Sequence, residues 1–299
     1  MKLHFWNGPN FGDQLNLYIF PELFPDLLSA AEDGRLLCGI GSIIEENLIP
    51  DGQNIIIFGS GMRYPIYKGD RTGWDIRFLR GPLSANCLSR PNDYIADAAY
   101  CLSLIDDFKT LTCASKKKYK TSLIPYFSYA PLFPWQRVCN LVGVNYIDPT
   151  GHPKDIIKEV LSSEQIIAGA MHGAIVADVC RVPWIRLRMD QFPTENSLTT
   201  EFKWADWMLS LGLKTHPCVK LSSVDLQGTT KIFSKTLFAL EAILKLRDRS
   251  GAVYQLTKDD VLSSVTRKLT SAISSLREDY QQLNVPLAAQ NMKLPESIT

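Results

Sequence analysis

The sequence is poor in the residues that build metal and disulfide sites. It has only four histidines, and its seven cysteines are odd in number and scattered, with no CxxC pair. That excludes a disulfide framework and a zinc site of ordinary spacing, and leaves reduced thiols in a cytoplasmic protein as the simpler reading. Charge of either sign is also missing in excess: 32 basic residues against 31 acidic give a net +1. A bulk electrostatic grip on nucleic acid or on an anionic membrane is thereby excluded, and any anion must be held by a few placed groups. No apolar run approaches the ~20 residues of a spanning helix, and MKLHFWNGPN lacks the basic-then-apolar design of a signal peptide. The expectation is a soluble protein with at most a peripheral membrane contact. Familiar motifs are absent too. There is no GxxxxGK[ST] phosphate loop, no GxSxG elbow and no acidic pair in matching loops. Two glycine loops, Gly39 to Ser42 and Gly59 to Gly61, fall short of GxGxxG because positions 44 and 64 are Ile and Tyr.

What remains is an ordinary globular composition, 45% hydrophobic and 21% charged over 299 residues, long enough for two domains. LHFW (Leu3 to Trp6) reads as a buried strand leaving into a turn-rich loop, with a helix from Asp13 to Phe20. LLCGIG, NIIIFGSG and IRFLRG read as strands ending in glycine, GPLSANCL opens a helix at Pro82, and IADAAYCL reads as a further strand. The lysine run 116–120 is read as a solvated linker. Beyond it SLIPYF, GVNYI, QIIAGA and PWIRL alternate with helical segments, a βαβαβα pattern that predicts a doubly wound parallel sheet. The expected division is an acceptor-side Rossmann-like domain over 1–115, a donor-side one over 121–248, and a tail over 249–299. In the tail, Leu262, Val265, Leu269, Ile273, Leu276, Tyr280 and Leu283 recur at helical spacing. Packing of that stripe on the body is one reading and self-association is the other; residues after Pro286 read as disordered.

Three places invite chemistry. His172 stands where a buried strand meets a helix, beside free backbone N–H groups that favour anions, and Gly169, Ala170 and Gly173 leave room around it. It can bind a phosphate or carboxylate or move a proton near neutral pH. A capping or gap-filling histidine is the plainer alternative. Asn7, Asn10 and Asp13 crowd the exit of the first strand, which suits hydrogen bonds to hydroxyl groups, although Asp13 could simply open a helix. Among Arg63, Arg80, Arg181, Arg186 and Arg188, which all lie near element ends, Arg80 at a strand-to-helix joint is favoured as an anion ligand.

NFGD, GIGS, GSGM, RGPLS, ADAAY, MHGAIVADVCRVPWI and KWADWMLSLGL, in that order over Leu3 to Leu213, resemble the polysaccharide pyruvyl transferase family. The likeness is to the ketal pyruvate transferases of exopolysaccharide synthesis. It implies a two-domain fold like the GT-B glycosyltransferases and phosphoenolpyruvate as donor substrate, with no further cofactor and no metal demanded. It implies as acceptor a sugar, commonly on a lipid-linked repeat unit at the cytoplasmic face of the inner membrane. The resemblance carries family residues onto His172, Gly12, Asp13, Arg80 and Asp97; with the loops read above, the expectation is that His172 and Asp13 are catalytic and that Asn10, Gly12, Ser42, Gly59, Gly61, Arg80, Asp97 and Arg186 line the substrates. One departure stands out: many family members carry arginine two residues before the histidine, where this chain has Ala170. Arg186, Arg188 and Arg63 are the candidates to replace it. A nucleotide-sugar glycosyltransferase and a non-catalytic saccharide-binding subunit docking through its last helix are the alternatives.

Overall fold

Short apolar runs form the strands of two parallel sheets in the computed structural model, which describes residues 1–29, 34–50, 52–189, 197–214, 218–222, 231–248 and 252–283. In the first half the order is β1 (Lys2–Leu3), α1 (Phe11–Leu23), α2 (Pro25–Ser29), β2 (Arg35–Cys38), β3 (Asn54–Phe58), β4 (Trp74–Phe78) and α3 (Pro82–Cys87). A 3-10 helix (Ala98–Leu104) and α4 (Asp106–Ala114) complete it. The second half runs through β5 (Ser122–Ile124), a 3-10 helix (Phe127–Leu132), α5 (Trp135–Leu141), β6 (Asn145–Tyr146), α6 (Pro153–Leu161), β7 (Ile166–Ala168) and α7 (Met171–Val179). It ends with β8 (Trp184–Met189), α8 (Ser197–Ser210), β9 (Cys218–Leu221), α9 (Lys231–Arg247) and α10 (Asp259–Leu283).

The second sheet has the order β6-β5-β7-β8-β9, so its winding reverses between β5 and β7. Ligands of open parallel sheets bind at such a reversal, outside the carboxyl ends of the strands. The first sheet differs from the doubly wound expectation: its order β1-β2-β3-β4 follows the chain with no reversal. Among the described residues the β2–β3 and β3–β4 connections contain no helix. Part of the cover comes instead from the far end of the chain, because α10 packs on β4, α2 and the first 3-10 helix.

Two segments depart from the expected strands. IADAAYCL is a 3-10 helix, because the Asp97 carboxylate accepts from the Ala99 N–H and caps it. A short buried run carries no periodicity that separates strand from helix, and here the cap decides. LHFW pairs only at its start, with His4 N–H donating to the Leu37 carbonyl, and Trp6 stands out in the loop.

The largest hydrophobic cluster joins both halves, running from Phe11, Phe20 and Phe58 through Tyr100 and Ala174 to Trp184, Trp207 and Leu276. Two buried carboxylates cross the same boundary. Asp206 of α8 pairs with Arg80 at 3.0 Å, and Asp178 of α7 accepts from the Tyr100 hydroxyl at 2.7 Å. The residues after Pro286 lie outside the described part. No described helix is long and apolar enough to cross a membrane.

Candidate active site

A cavity of about 220 Å³ opens where the exits of β1, β5 and β7 converge. Its walls include Asn10 and Asp13 of α1's first turn, Ser42, Arg63, Tyr126, Phe127, Ala170, His172 and Lys203. The floor is set by α1. Asn10 caps that helix by accepting from the Gly12 N–H, and its amide donates to the Asp13 carboxylate. One turn on, the Asn16 amide donates to the Asp13 and Ile40 carbonyls and accepts from the Ile40 N–H. A fully buried amide thus fastens α1 to the glycine loop that carries Ser42. The residue that organises this floor is one the sequence reading missed, since an asparagine in mid-helix carries no signal of its distant partner.

His172 sits in the first turn of α7, at the winding reversal, as the strand-to-helix joint predicts. Its closeness to the floor depends on Gly12: a methyl group there would lie 2.1 Å from His172 Nδ1. On the other side of the ring, Nε2 stands 3.6 Å from Asp97 Oδ2, a contact that becomes an ion pair when the imidazole carries its second proton. Neither atom has a hydrogen-bond partner among the described residues. Asp13 is buried close by, and burial pushes its carboxyl pKa above the usual carboxylate range, against the opposing pull of His172 and the Asn10 hydrogen bond.

The other expected site residues fall elsewhere. Arg80 is fully buried, with Nε on Asp206, Nη1 on the Ser42 hydroxyl and Nη2 on the Met62 carbonyl. It stands behind Ser42 and does not line the cavity. Gly61 makes room for that guanidinium, since a Cβ there would meet Arg80 Cζ at 2.2 Å. Gly59 (φ +88°) lies against Ala98. These glycines admit protein groups, and neither lines the cavity. Arg186 holds Glu201 of α8 bidentately at 2.8 and 2.9 Å and stacks on Trp204 at 4.5 Å. Arg188 reaches the same Glu201 at 3.3 Å.

Among the described residues, the cations that do line the cavity are Arg63 from the first half and Lys203 from the second. Arg63 also lies 3.5 Å from Glu45. Lys203 is within Coulombic reach of Asp13, whose pKa it lowers. The sequence reading passed over Lys203, because KWADW reads first as a helix face with two tryptophans to bury. Trp6, Tyr126 and Phe127 at the rim stand in runs whose apolar pattern signals only strands. Chemically, the cavity combines two positive charges, one buried carboxyl of raised pKa and one imidazole with a carboxylate behind it. It can hold a compact polyanion beside groups that exchange protons with hydroxyls.

No protein-family model matches the chain. It is similar to the succinoglycan biosynthesis protein ExoV of Rhizobium meliloti (strain 1021), at 30% identity over 326 aligned positions that cover 94% of this chain and 100% of the relative. With that identity over nearly its whole length, and with the motif series from NFGD to KWADWMLSLGL in order, the chain belongs to the polysaccharide pyruvyl transferase family.

Proposed function

We propose that the chain transfers the pyruvyl group of phosphoenolpyruvate to a sugar of an exopolysaccharide repeat unit as a cyclic ketal, releasing phosphate. The similarity to a succinoglycan biosynthesis protein supports the exopolysaccharide context. The observation that carries the chemistry is that Arg63 and Lys203 share one cavity with Asp13, Asn10 and His172. In this reading the two sheets act as the halves of a GT-B-like pair, and donor and acceptor meet at their strand ends. The acceptor is a lipid-linked glycan met from the cytoplasmic side, by peripheral contact.

The donor is an enol phosphate with a carboxylate, and the two cations that line the cavity balance its charge. His172 gives a proton to the methylene carbon, and the double-bond electrons form the new C–H bond. C2, now electron-poor, takes the first sugar hydroxyl, whose proton passes to Asp13. The second hydroxyl attacks C2 as the C–O bond to phosphate breaks. Its proton leaves with the departing phosphate, as hydrogen phosphate. Asp13 returns its proton to restore the imidazolium. Asn10, tied to Asp13, orients the hydroxyl pair. The raised pKa of Asp13 makes it a stronger base than an exposed carboxylate, which suits the task.

The test incubates purified protein with phosphoenolpyruvate and oligosaccharides prepared from non-pyruvylated succinoglycan. Phosphate release coupled to a sugar mass gain of one pyruvate ketal is the expected result. Absence of both signals across a hexose acceptor panel would overturn the reading, as would glycosyl transfer from a nucleoside diphosphate sugar in their place.

A further inference from the structure

Trp6 is a large apolar side chain left 41% exposed, and it is held there. Its indole folds back over Gly8, where a Cβ would come within 2.0 Å of the ring. Its ring meets Phe127 at 5.4 Å between ring centroids, inclined by 45°, and Phe127 in turn meets Tyr126 at 4.8 Å. All three rings line the cavity that contains Asn10 and Asp13. The contrast with the other tryptophans is informative. Trp135, Trp184, Trp204 and Trp207 are buried in the core, and Trp74 is half-buried against Tyr67. Leaving an indole in water forgoes its burial energy, and fixing it there forgoes its rotamer freedom as well. Such a ring is preorganised for an occupant.

The chemistry of that occupant follows from the surroundings. A flat π face beside hydrogen-bonding oxygen and nitrogen atoms suits a molecule with one apolar C–H face and a polar rim. A pyranose ring is built this way, its axial C–H bonds on one face and its hydroxyls around the edge. We propose that Trp6, seated on Gly8 and braced by Phe127, is the stacking platform for the acceptor's pyranose ring, which directs the hydroxyl edge toward Asn10 and Asp13. Trp6 comes from the exit of β1 and Phe127 from the exit of β5, so the platform spans the two halves. The assignment of the occupant as the acceptor rests on the pyruvyl transferase reading of the same cavity. The stacking itself does not.

The experiment has two arms, both on the full chain. In the first, oligosaccharides from succinoglycan are titrated without phosphoenolpyruvate while acrylamide quenching of indole fluorescence is followed. Bound sugar shields the exposed indole, so quenching falls in the wild type, and this change disappears in Trp6→Phe. In the second arm the Michaelis constants are measured. Trp6→Ala raises the acceptor constant about tenfold or more, and Trp6→Phe raises it less, while the phosphoenolpyruvate constant moves by less than about twofold. Gly8→Ala, which keeps the indole but pushes it off its seat, behaves as Trp6→Ala. An unchanged acceptor constant in Trp6→Ala, with melting like the wild type, overturns the platform, and so does a wild type that binds none of these oligosaccharides. Shielding of Trp6 by oligosaccharide without any phosphate release from phosphoenolpyruvate would instead retain the platform and reject the pyruvyl reading.

Discussion

Among single residues, Gly12 and His172 act as one feature, because the imidazole occupies the volume a side chain at position 12 would need. Gly12→Ala therefore moves the ring without changing its chemistry. Because a displacement of about 1 Å can cost about 10²-fold in rate, turnover should fall by that order although the imidazole is retained. Steady-state kinetics, with melting curves to show that the variant folds, checks it; unchanged turnover would show that the ring position does not matter. Asp13 gives a prediction of opposite signs for stability and activity. Its unfolded carboxyl titrates near pH 3.9, and burial raises the folded value above that. The folded state thus holds the proton more tightly. The stability this contributes is complete below about pH 4 and is lost as pH rises through the folded pKa. Asp13→Asn has no proton to lose, so its melting temperature should gain on the wild type as pH is raised from about 4 to 8. Its turnover should fall by about 10²–10⁴-fold, the contribution of a positioned general base. Melting curves across that range, beside rates at neutral pH, test both; an Asp13→Asn variant that loses ground to the wild type as pH rises would contradict the sign.

At the scale of elements, the joint between α3 and α8 shows how far a local reading can go. Asp206 of α8 accepts from the Leu83 and Ser84 N–H groups, so it caps α3 from across the molecule, and it also accepts from the Ser84 hydroxyl and from Arg80. Gly81 permits this approach, since a Cβ there would lie 2.0 Å from the Asp206 carbonyl oxygen. Removing one partner of a buried pair leaves a desolvated charge, so Asp206→Ala should cost about 3–5 kcal/mol in urea denaturation. The double replacement Arg80→Met, Asp206→Leu should cost clearly less than the sum of the two single ones. Additive costs would show that the pair is not coupled. The same joint explains what the sequence could reveal. The place of His172 in a helix's first turn was legible because a buried strand, small residues and a helix restart are all local. α6, the helical segment between GVNYI and QIIAGA, was legible because Pro153 and a clean apolar stripe mark it. Arg80 was legible as an important arginine at a strand-to-helix joint, but its partner lies 126 positions away, so whether it meets a ligand or an aspartate was not. Asn16, Lys203 and Trp6 were hidden for a related reason. Their roles depend on which loops the two sheets bring together, and no periodicity encodes that.

Over the whole molecule, α10 acts as a strap. It starts in the second half, where the Thr257 N–H donates to Asp178 and Arg181 reaches Asp259, and it ends on the first half. There Arg277 donates to the Leu23 carbonyl and the Tyr280 hydroxyl to Asp75. Its apolar stripe, with Val265, Leu269, Ile273, Leu276 and Tyr280 all buried, faces the body of the protein. Because the largest hydrophobic cluster also joins the halves, loosening this strap should be felt on both sides. Leu276→Ala opens a cavity at a fully buried position and should cost about 2–5 kcal/mol. Amide hydrogen exchange locates the loss. Protection should fall together in β4, in the 3-10 helix Ala98–Leu104 and in α7, since one contiguous core transmits the opening. If only β4 and its neighbours lost protection while α7 kept its own, the halves would be energetically separate. The cavity at their junction would then be a cleft free to open and close. If all three fall together, the walls bearing Arg63 and Lys203 are held at a fixed spacing, and the cavity is preorganised for its anion rather than assembled around it.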